Sequence, residues 1–446
     1  MINDLIDYFR NKKILILGFG KEGKSTYKLI RKYLPNQLVY ISDKKENFQE
    51  TYNFNNDSNL IFISGENYLQ NLNDYDIIMK SPGISFINID TSSFYHKIKS
   101  QLELLLEFFN NFTIGITGTK GKSTTSSLIY KILKDQNEKC LLMGNIGEPV
   151  FDYIDQIDEN VKIVLEMSSH QLEYMELSPN IAVLLNIFPE HLDHYKSFED
   201  YAKAKCNIFK YQNKNDYFLY NSDIELINTL TDKANGNMYR VNINKKDADI
   251  YLDKDIIYFK DEPLYNKKQK RKLPGNYNLN NIMFALGVSK ILRLDLNRTI
   301  QTINTFEPLR HRLEFIGTFE GVKYYDNSIG TVPIATIEAV KALDDVDTLI
   351  IGGMDRGIDY TDFIEFLNNS DISNIICMPT TGHIIAKGLK QEKCYCVENL
   401  EEAVNIAKKH TKVGMSCLLS PTAASYEFFK NFEEKGDLFK KLVQQI

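Results

Sequence analysis

Gly118-Thr119-Lys120-Gly121-Lys122-Ser123-Thr124 stands between an apolar run, Phe112-Thr113-Ile114-Gly115-Ile116-Thr117, and Thr125-Ser126-Ser127-Leu128-Ile129-Tyr130-Lys131-Ile132-Leu133, whose apolar residues recur at helical spacing. A strand, a glycine-rich turn and a helix start gather several backbone N–H groups around one point, and the helix dipole adds partial positive charge there. The natural occupant is a polyphosphate. Lys122 then lies along the β- and γ-phosphates, and Ser123 offers its hydroxyl to Mg²⁺. The strict phosphate-loop pattern wants glycine at 116, where this chain has Ile116 and places glycines at 115 and 118. The stretch is a P-loop variant, and it predicts a site for a nucleoside triphosphate.

Outward from that loop, the chain divides into three αβ blocks. The first opens with strand-like Lys13-Ile14-Leu15-Ile16-Leu17, then Gly18-Phe19-Gly20-Lys21-Glu22-Gly23 and a helix over 24–33. A second strand, Leu38-Val39-Tyr40-Ile41-Ser42, ends at Asp43, and Tyr75-Asp76-Ile77-Ile78-Met79-Lys80 stops at Ser81-Pro82-Gly83. A helix over 98–109 leads out. The second block adds the buried strands Val161-Lys162-Ile163-Val164-Leu165 and Ile181-Ala182-Val183-Leu184-Leu185-Asn186, which read as a parallel sheet covered on both faces. Residues 215–272 are more polar and short-stranded, an excursion of this block. The third starts near Phe306-Glu307-Pro308 and carries Thr348-Leu349-Ile350-Ile351-Gly352-Gly353, Ile375-Ile376-Cys377-Met378 and Ser416-Cys417-Leu418-Leu419-Ser420.

Bulk properties narrow the function class. A chain of 446 residues accommodates roughly two to four domains. A net charge of −6 argues against coating nucleic acid. The six cysteines form no CxxC pair, which suits reduced thiols in a cytosolic protein. The opening Met1-Ile2-Asn3-Asp4-Leu5-Ile6-Asp7 has acids where a signal peptide needs bases, and no apolar run is long enough to span a bilayer.

Other clusters carry chemistry. Gly18-x-Gly20-x-x-Gly23 with Asp43 on the next strand matches a dinucleotide fingerprint, in which a diphosphate sits at the helix start and Asp43 accepts from a ribose or base. Taken alone, that fingerprint fits a nicotinamide-dependent dehydrogenase, but such an enzyme leaves the second loop idle. Glu166 ends a buried strand in the P-loop block, a position suited to Mg²⁺. Asn186-Ile187-Phe188-Pro189-Glu190-His191-Leu192-Asp193-His194-Tyr195 groups two acids and two histidines after the next strand, where oxygen-held magnesium suits phosphate chemistry better than zinc. Lys205 lies in a helix, where lysine is ordinarily surface charge. In the third block Arg312 suits a transferring phosphate, and Asp326-Asn327-Ser328 a ribose or base.

Taken in order, these motifs resemble one family, the Mur ligases, ATP-dependent amide-forming enzymes of cytoplasmic peptidoglycan precursor synthesis. The resemblance runs from Ile14-Leu15-Ile16-Leu17-Gly18 through Lys80-Ser81-Pro82-Gly83-Ile84, the phosphate loop, Gly144-Asn145-Ile146-Gly147, Glu190-His191-Leu192-Asp193, Lys205, Pro274-Gly275-Asn276-Tyr277-Asn278, His311-Arg312-Leu313-Glu314 and Gly352-Gly353-Met354-Asp355-Arg356-Gly357 to Leu419-Ser420-Pro421-Thr422-Ala423-Ala424-Ser425. Ser81-Pro82-Gly83-Ile84 and the closing segment over 420–432 are similar to the members that add D-glutamate to UDP-N-acetylmuramoyl-L-alanine. The resemblance implies an α/β fold of three domains. These are a Rossmann-like UDP-binding domain over 1–99, a P-loop ATPase-type domain with a mainly parallel sheet over 100–305, and a Rossmann-like, amino-acid-binding domain over 306–446. It also implies a monomer acting on small molecules, with no nucleic-acid or membrane partner.

Site residues follow from the same resemblance. Gly18, Phe19, Gly20, Lys21, Asp43, Lys44, Ser81, Pro82 and Gly83 would hold the UDP moiety, and Asn145 and His191 the muramoyl part. ATP would meet Gly118, Thr119, Lys120, Gly121, Lys122, Ser123, Thr124, Asn278, Arg312, Asp326 and Asn327. Two Mg²⁺ ions would be held by Ser123, Glu166, His191 and Lys205, the last carbamylated by CO₂. Thr331, Arg356, Ser425, Tyr426 and Phe432 would receive D-glutamate. Lys122, Lys205, His191 and Glu166 form the implied catalytic set. The chain departs from the family pattern at Lys120, where many members have Asn, at His170 for Phe and at Tyr277 for His. It departs again at Asn327-Ser328-Ile329 for Asp-Ser-Lys and at Arg356 for a lysine. Relatives adding another amino acid, or a UDP-sugar-binding protein without ligase activity, would share most of these features.

Overall fold

The computed structural model describes residues 1–191 and 193–445 of the chain. Among them three sheets carry the fold. The first has five strands, all parallel, in the order Leu60–Ser64, Val39–Asp43, Ile14–Leu17, Ile77–Lys80, Ile98–Lys99. Ile14–Leu17 is buried along its whole length, as its unbroken apolar sequence requires of a strand covered on both faces. Its successor lies on one side of it and Ile77–Lys80 on the other, so a crevice opens at its carboxyl end. There the chain turns into the helix Lys21–Tyr33. Gly23 allows that helix to press against the turn: a Cβ at this position would collide with the carbonyl oxygen of Gly18.

The second sheet has nine strands. Its parallel portion runs Ile250–Asp253, Asn237–Asn242, Tyr217–Asn221, Ile181–Leu184, Thr113–Thr117, Lys162–Glu166, Cys140–Gly144. Antiparallel Ile256–Phe259 and Glu262–Asn266 extend it at one edge. Thr113–Thr117 again lies where the strand order reverses, and the helix Lys122–Asp135 follows it.

The six-stranded third sheet is parallel except at one edge, in the order Glu314–Phe319, Val322–Asp326, Ser416–Leu419, Val346–Gly353, Asn374–Thr380, Cys394–Cys396. The α/β character and mainly parallel pairing expected from the sequence are therefore present. Residues 1–268 and 280–303, with the first two sheets, form one compact unit; residues 269–279 and 304–446, with the third, form another.

Two local expectations need correction. The helix expected over 98–109 begins later, at Gln101, because Ser100 caps it by accepting from Glu103 N–H; Ile98 and Lys99 pair instead with Ile78 and Met79. Residues 215–272 are no excursion: Tyr217–Asn221 pairs directly with Ile181–Leu184 and the sheet continues outward from it. The exposed polar side chains there lie mostly in the turns between strands and along Asn237–Asn242, which diluted the apolar signal.

Gly23→Ala should cost about 1–3 kcal/mol, the range typical of forcing a methyl into a packed contact. Urea denaturation of the two proteins checks this; equal midpoints would contradict the close helix–turn approach.

Candidate active site

In the first unit the phosphate loop is held from behind. Gly121 takes a φ of +88°, open to glycine at little steric cost, and begins the helix Lys122–Asp135. Thr119 N–H donates to Asn186 O, and the Thr119 hydroxyl lies 2.9 Å from the Tyr201 hydroxyl. Lys120 N–H donates to Asn186 Oδ1, and Lys120 Nζ to Glu190 Oε1 at 2.6 Å. Lys122 Nζ donates to the carbonyl oxygens of Gly118 (2.8 Å) and Thr119 (3.0 Å). Ser123 and Thr124 are buried at the first turn.

Lys205 is the structure's clearest departure from ordinary lysine behaviour. It is 1% exposed, lies over the Tyr201 ring and donates to Gly118 O at 3.0 Å. Burial, then the charge of Lys122, pushes its amine well below the usual lysine range; Glu190 opposes this and Lys120 adds to it. Glu166, 1% exposed, accepts from Asn145 Nδ2 at 2.8 Å through one carboxylate oxygen. Its other oxygen, Oε2, is buried with no hydrogen-bond partner among the described residues. His191 has a φ of +58° and stands 3.8 Å from Glu190, with its imidazole held low chiefly by burial and partly restored by Glu190.

The first sheet builds its own cradle. Phe19 N–H donates to Asp43 Oδ2 and Lys45 N–H to Asp43 Oδ1, while the Ser81 hydroxyl donates to Gly18 O. Gly20, Lys21, Lys44 and Gly83 are exposed at the rim, with Pro82 partly so. The Phe19 ring packs among Tyr27, Phe48, Tyr52 and Phe54, so it acts from within the core.

In the second unit the carboxyl ends of three neighbouring strands converge. Asp326 is fully buried; its Oδ2 lies 2.7 Å from His311 Nδ1 and its Oδ1 accepts from Ser328 N–H. Asn327 donates to the Ser420 hydroxyl and accepts from Leu313 N–H. Arg356 Nη2 donates to Thr331 O at 3.3 Å, joining two of the expected amino-acid residues. Ser425 Oγ is buried without a hydrogen-bond partner among the described residues; Tyr426 is exposed, and the Phe432 ring stands edge-on to His311. Asn278 Nδ2 donates to Pro274 O, and Arg312 follows His311 on the same turn.

Residues 116–289 match the Mur ligase middle domain. Over 459 aligned residues the chain is 33% identical to a UDP-N-acetylmuramoylalanine–D-glutamate ligase of Clostridium kluyveri, covering 100% of this chain and 99% of the relative. The chain belongs to the Mur ligase family. The fold agrees: a UDP-N-acetylmuramate–alanine ligase, MurC, of Thermotoga maritima superimposes with a TM-score of 0.61 at 19% identity, over 98% of this chain and 100% of that one. A MurF ligase of the same organism, in complex with ADP, gives 0.60 at 16% identity, over 99% and 97%.

The structure of this Mur ligase adds residues that sequence reasoning missed. Tyr201 and Asn186 brace the phosphate loop, and Asn281 accepts from the Thr125 hydroxyl. Their partners are distant in sequence, so no local pattern marks them. Lys435 is 1% exposed, donates to Gly352 O at 2.7 Å and lies over Phe429.

Burial holds the Lys435 amine down at about 7, with Asp326 pulling partly the other way. In an unfolded chain a lysine titrates near 10.4. Between about pH 7 and 10 the unfolded chain therefore binds the extra proton, so stability rises with pH across that window. Lys435→Met should flatten the rise by about 1 kcal/mol per pH unit in chemical denaturation. Parallel profiles for the two proteins would contradict a buried, weakly basic amine.

Proposed function

We propose that this Mur ligase joins D-glutamate to UDP-N-acetylmuramoyl-L-alanine, cleaving ATP to ADP and phosphate through an acyl phosphate, in the cytoplasm and as a monomer. Two glycine-tipped helix starts at the switch points of two parallel sheets, within one compact unit, carry the proposal. The chain's end-to-end relation to ligases named for D-glutamate gives the amino acid. The domains would be 1–99, Rossmann-like and UDP-binding; 100–305, ATP-binding; and 306–446, Rossmann-like and amino-acid-binding.

A carboxylate is a poor electrophile because its leaving group would be oxide. The L-alanine carboxylate therefore attacks the γ-phosphorus of ATP, ADP leaves, and the carbonyl gains phosphate as a leaving group. The D-glutamate amine then attacks that carbonyl, loses a proton, and phosphate departs as the amide forms. The protein's work is positioning and charge neutralisation. Backbone N–H groups over 118–124 and Lys122 take the ATP phosphates, and Arg312 the transferring phosphoryl group. Asn278, Asp326 and Asn327 take the remainder of the nucleotide. Residues 18–21, Ser81, Pro82 and Gly83 hold the diphosphate, Asp43 and Lys44 face the uridine, and Asn145 and His191 the muramoyl part. Thr331, Arg356, Ser425, Tyr426 and Phe432 seat D-glutamate, with the Arg356 guanidinium suited to a carboxylate.

The donor set fits magnesium: Glu166 offers a buried carboxylate oxygen without a partner among the described residues, and Ser123 a buried hydroxyl at the loop's first turn. Bound there, Mg²⁺ would offset the charge of the phosphoryl oxygens. His191 and Lys205, as a carbamate, would hold a second ion. Only a neutral amine bonds the carbon of CO₂, breaking one C–O π bond and releasing its proton to water. The depressed basicity of Lys205 supplies that amine.

Phosphate release from ATP with UDP-N-acetylmuramoyl-L-alanine should require D-glutamate and fail with L-glutamate, L-alanine or lysine; preference for any of those three would overturn the assignment. Lys122→Ala should lose at least about a hundredfold in kcat. Lys205→Ala should lose most activity and recover part of it in formate, whereas full activity without formate would remove the carbamate role.

A further inference from the structure

Between the two cradles of the first unit lies buried charge that neither phosphate pocket uses. Lys80 is the last residue of the strand Ile77–Lys80, immediately before the Ser81-Pro82-Gly83 turn, and is 6% exposed. Its Nζ lies 3.5 Å from Glu173 Oε2 and faces the rings of Tyr174 and Phe86, with no hydrogen bond among the described residues. The same Glu173 oxygen lies 3.1 Å from His194 Nε2. His194 is buried and stands three residues after His191. A second tie runs beside the first: the Ser85 hydroxyl, from the segment after the turn, donates to His194 O at 2.8 Å. A third joins Gln171 Nε2 to Glu22 Oε1 at 2.9 Å, at the helix start of the first cradle.

Buried ion pairs contribute little net stability, because desolvating both charges offsets their attraction, but they fix geometry and penalise any arrangement that separates them. Here one carboxylate oxygen is shared by a residue flanking the diphosphate turn and a residue of the loop that carries Glu190 and His191. Displacing the Ser81-Pro82-Gly83 turn strands the buried Lys80 charge, and displacing the histidine loop takes a hydrogen-bonding partner from Glu173. We propose that Lys80, Glu173 and His194, with Ser85, are positioning residues that couple the two cradles, so that a sugar nucleotide on the Ser81-Pro82-Gly83 turn sets the loop bearing Glu190 and His191 for the triphosphate. This rests on the ligase assignment above. Linkage makes the effect reciprocal: each ligand must tighten the other by the same factor.

The test is calorimetric titration of the full chain with a non-hydrolysable ATP analogue and Mg²⁺, with and without saturating UDP-N-acetylmuramoyl-L-alanine. The wild type should bind the analogue about fivefold or more tightly when the sugar nucleotide is present. Lys80→Met combined with Glu173→Gln removes both charges together and leaves none stranded; it should reduce the factor to less than about twofold. Each ligand alone should bind this variant nearly as it binds the wild type. Lys80→Arg, which keeps the charge, should retain most of the coupling. Should the double variant fail to fold, Ser85→Ala should lower the factor in a protein that keeps the ion pair. Wild-type binding of both ligands with no mutual tightening, or an unchanged factor in the folded double variant or, where that does not fold, in Ser85→Ala, would overturn the coupling while leaving the ligase assignment intact. Failure of the wild type to bind the sugar nucleotide at all would remove both.

Discussion

Two lysine nitrogens reach the same backbone oxygen, that of Gly118: Lys122 at 2.8 Å from the rim of the phosphate loop and Lys205 at 3.0 Å from the interior. Two ammonium groups sharing one partial negative charge repel each other, and one of them is almost wholly removed from water. The conflict can be relieved in three ways: Lys205 gives up its proton, Lys122 turns to a polyanion, or Lys205 becomes an anion itself. All three belong to the proposed ligase cycle. The rest of the first unit keeps this conflict in place. Tyr201 covers the Lys205 amine, Asn186 pins the loop backbone, and Glu190 holds Lys120 aside.

The second constraint is topological. In an open parallel sheet the crevice lies where strand order reverses, at the strands' carboxyl ends. The first and second sheets each place a glycine turn and a helix start there, and the third gathers Gly352-Gly353, Asp326 and Ser420 at the corresponding ends. The chemistry then needs little beyond placement, because ATP supplies the energy and the attacking groups belong to the substrates.

Much of this was legible in the sequence because parallel strands are apolar throughout and each cradle announces itself by local glycines. The 18–23 and 118–124 turns needed no distant information. What stayed hidden depends on tertiary partners. Lys205 reads as surface charge in any helix, and only its burial behind the phosphate loop distinguishes it; the family resemblance, not its local pattern, singled it out. Phe19 sits within a glycine turn that reads as diphosphate-binding, and only the fold places its ring in an aromatic cluster. The start of the Gln101–Phe108 helix turned on a single serine cap within an apolar stretch that reads as continuous helix. Lys80, Glu173 and His194 lie far apart in the chain, so their meeting cannot be read along the sequence, and Lys435 carries no motif that marks its burial.

In the proposed reaction a carboxylate delivered from the first cradle meets the terminal phosphate held by the second. Incubating the protein with ATP, Mg²⁺ and UDP-N-acetylmuramoyl-L-alanine, without amino acid, and quenching into borohydride tests it directly, because an acyl phosphate is reduced to an alcohol and a free carboxylate is not. An alaninol-terminated sugar nucleotide should form, and only when ATP is present. Recovery of unreduced substrate alone, from protein shown to bind both ligands, would contradict the proposed reaction.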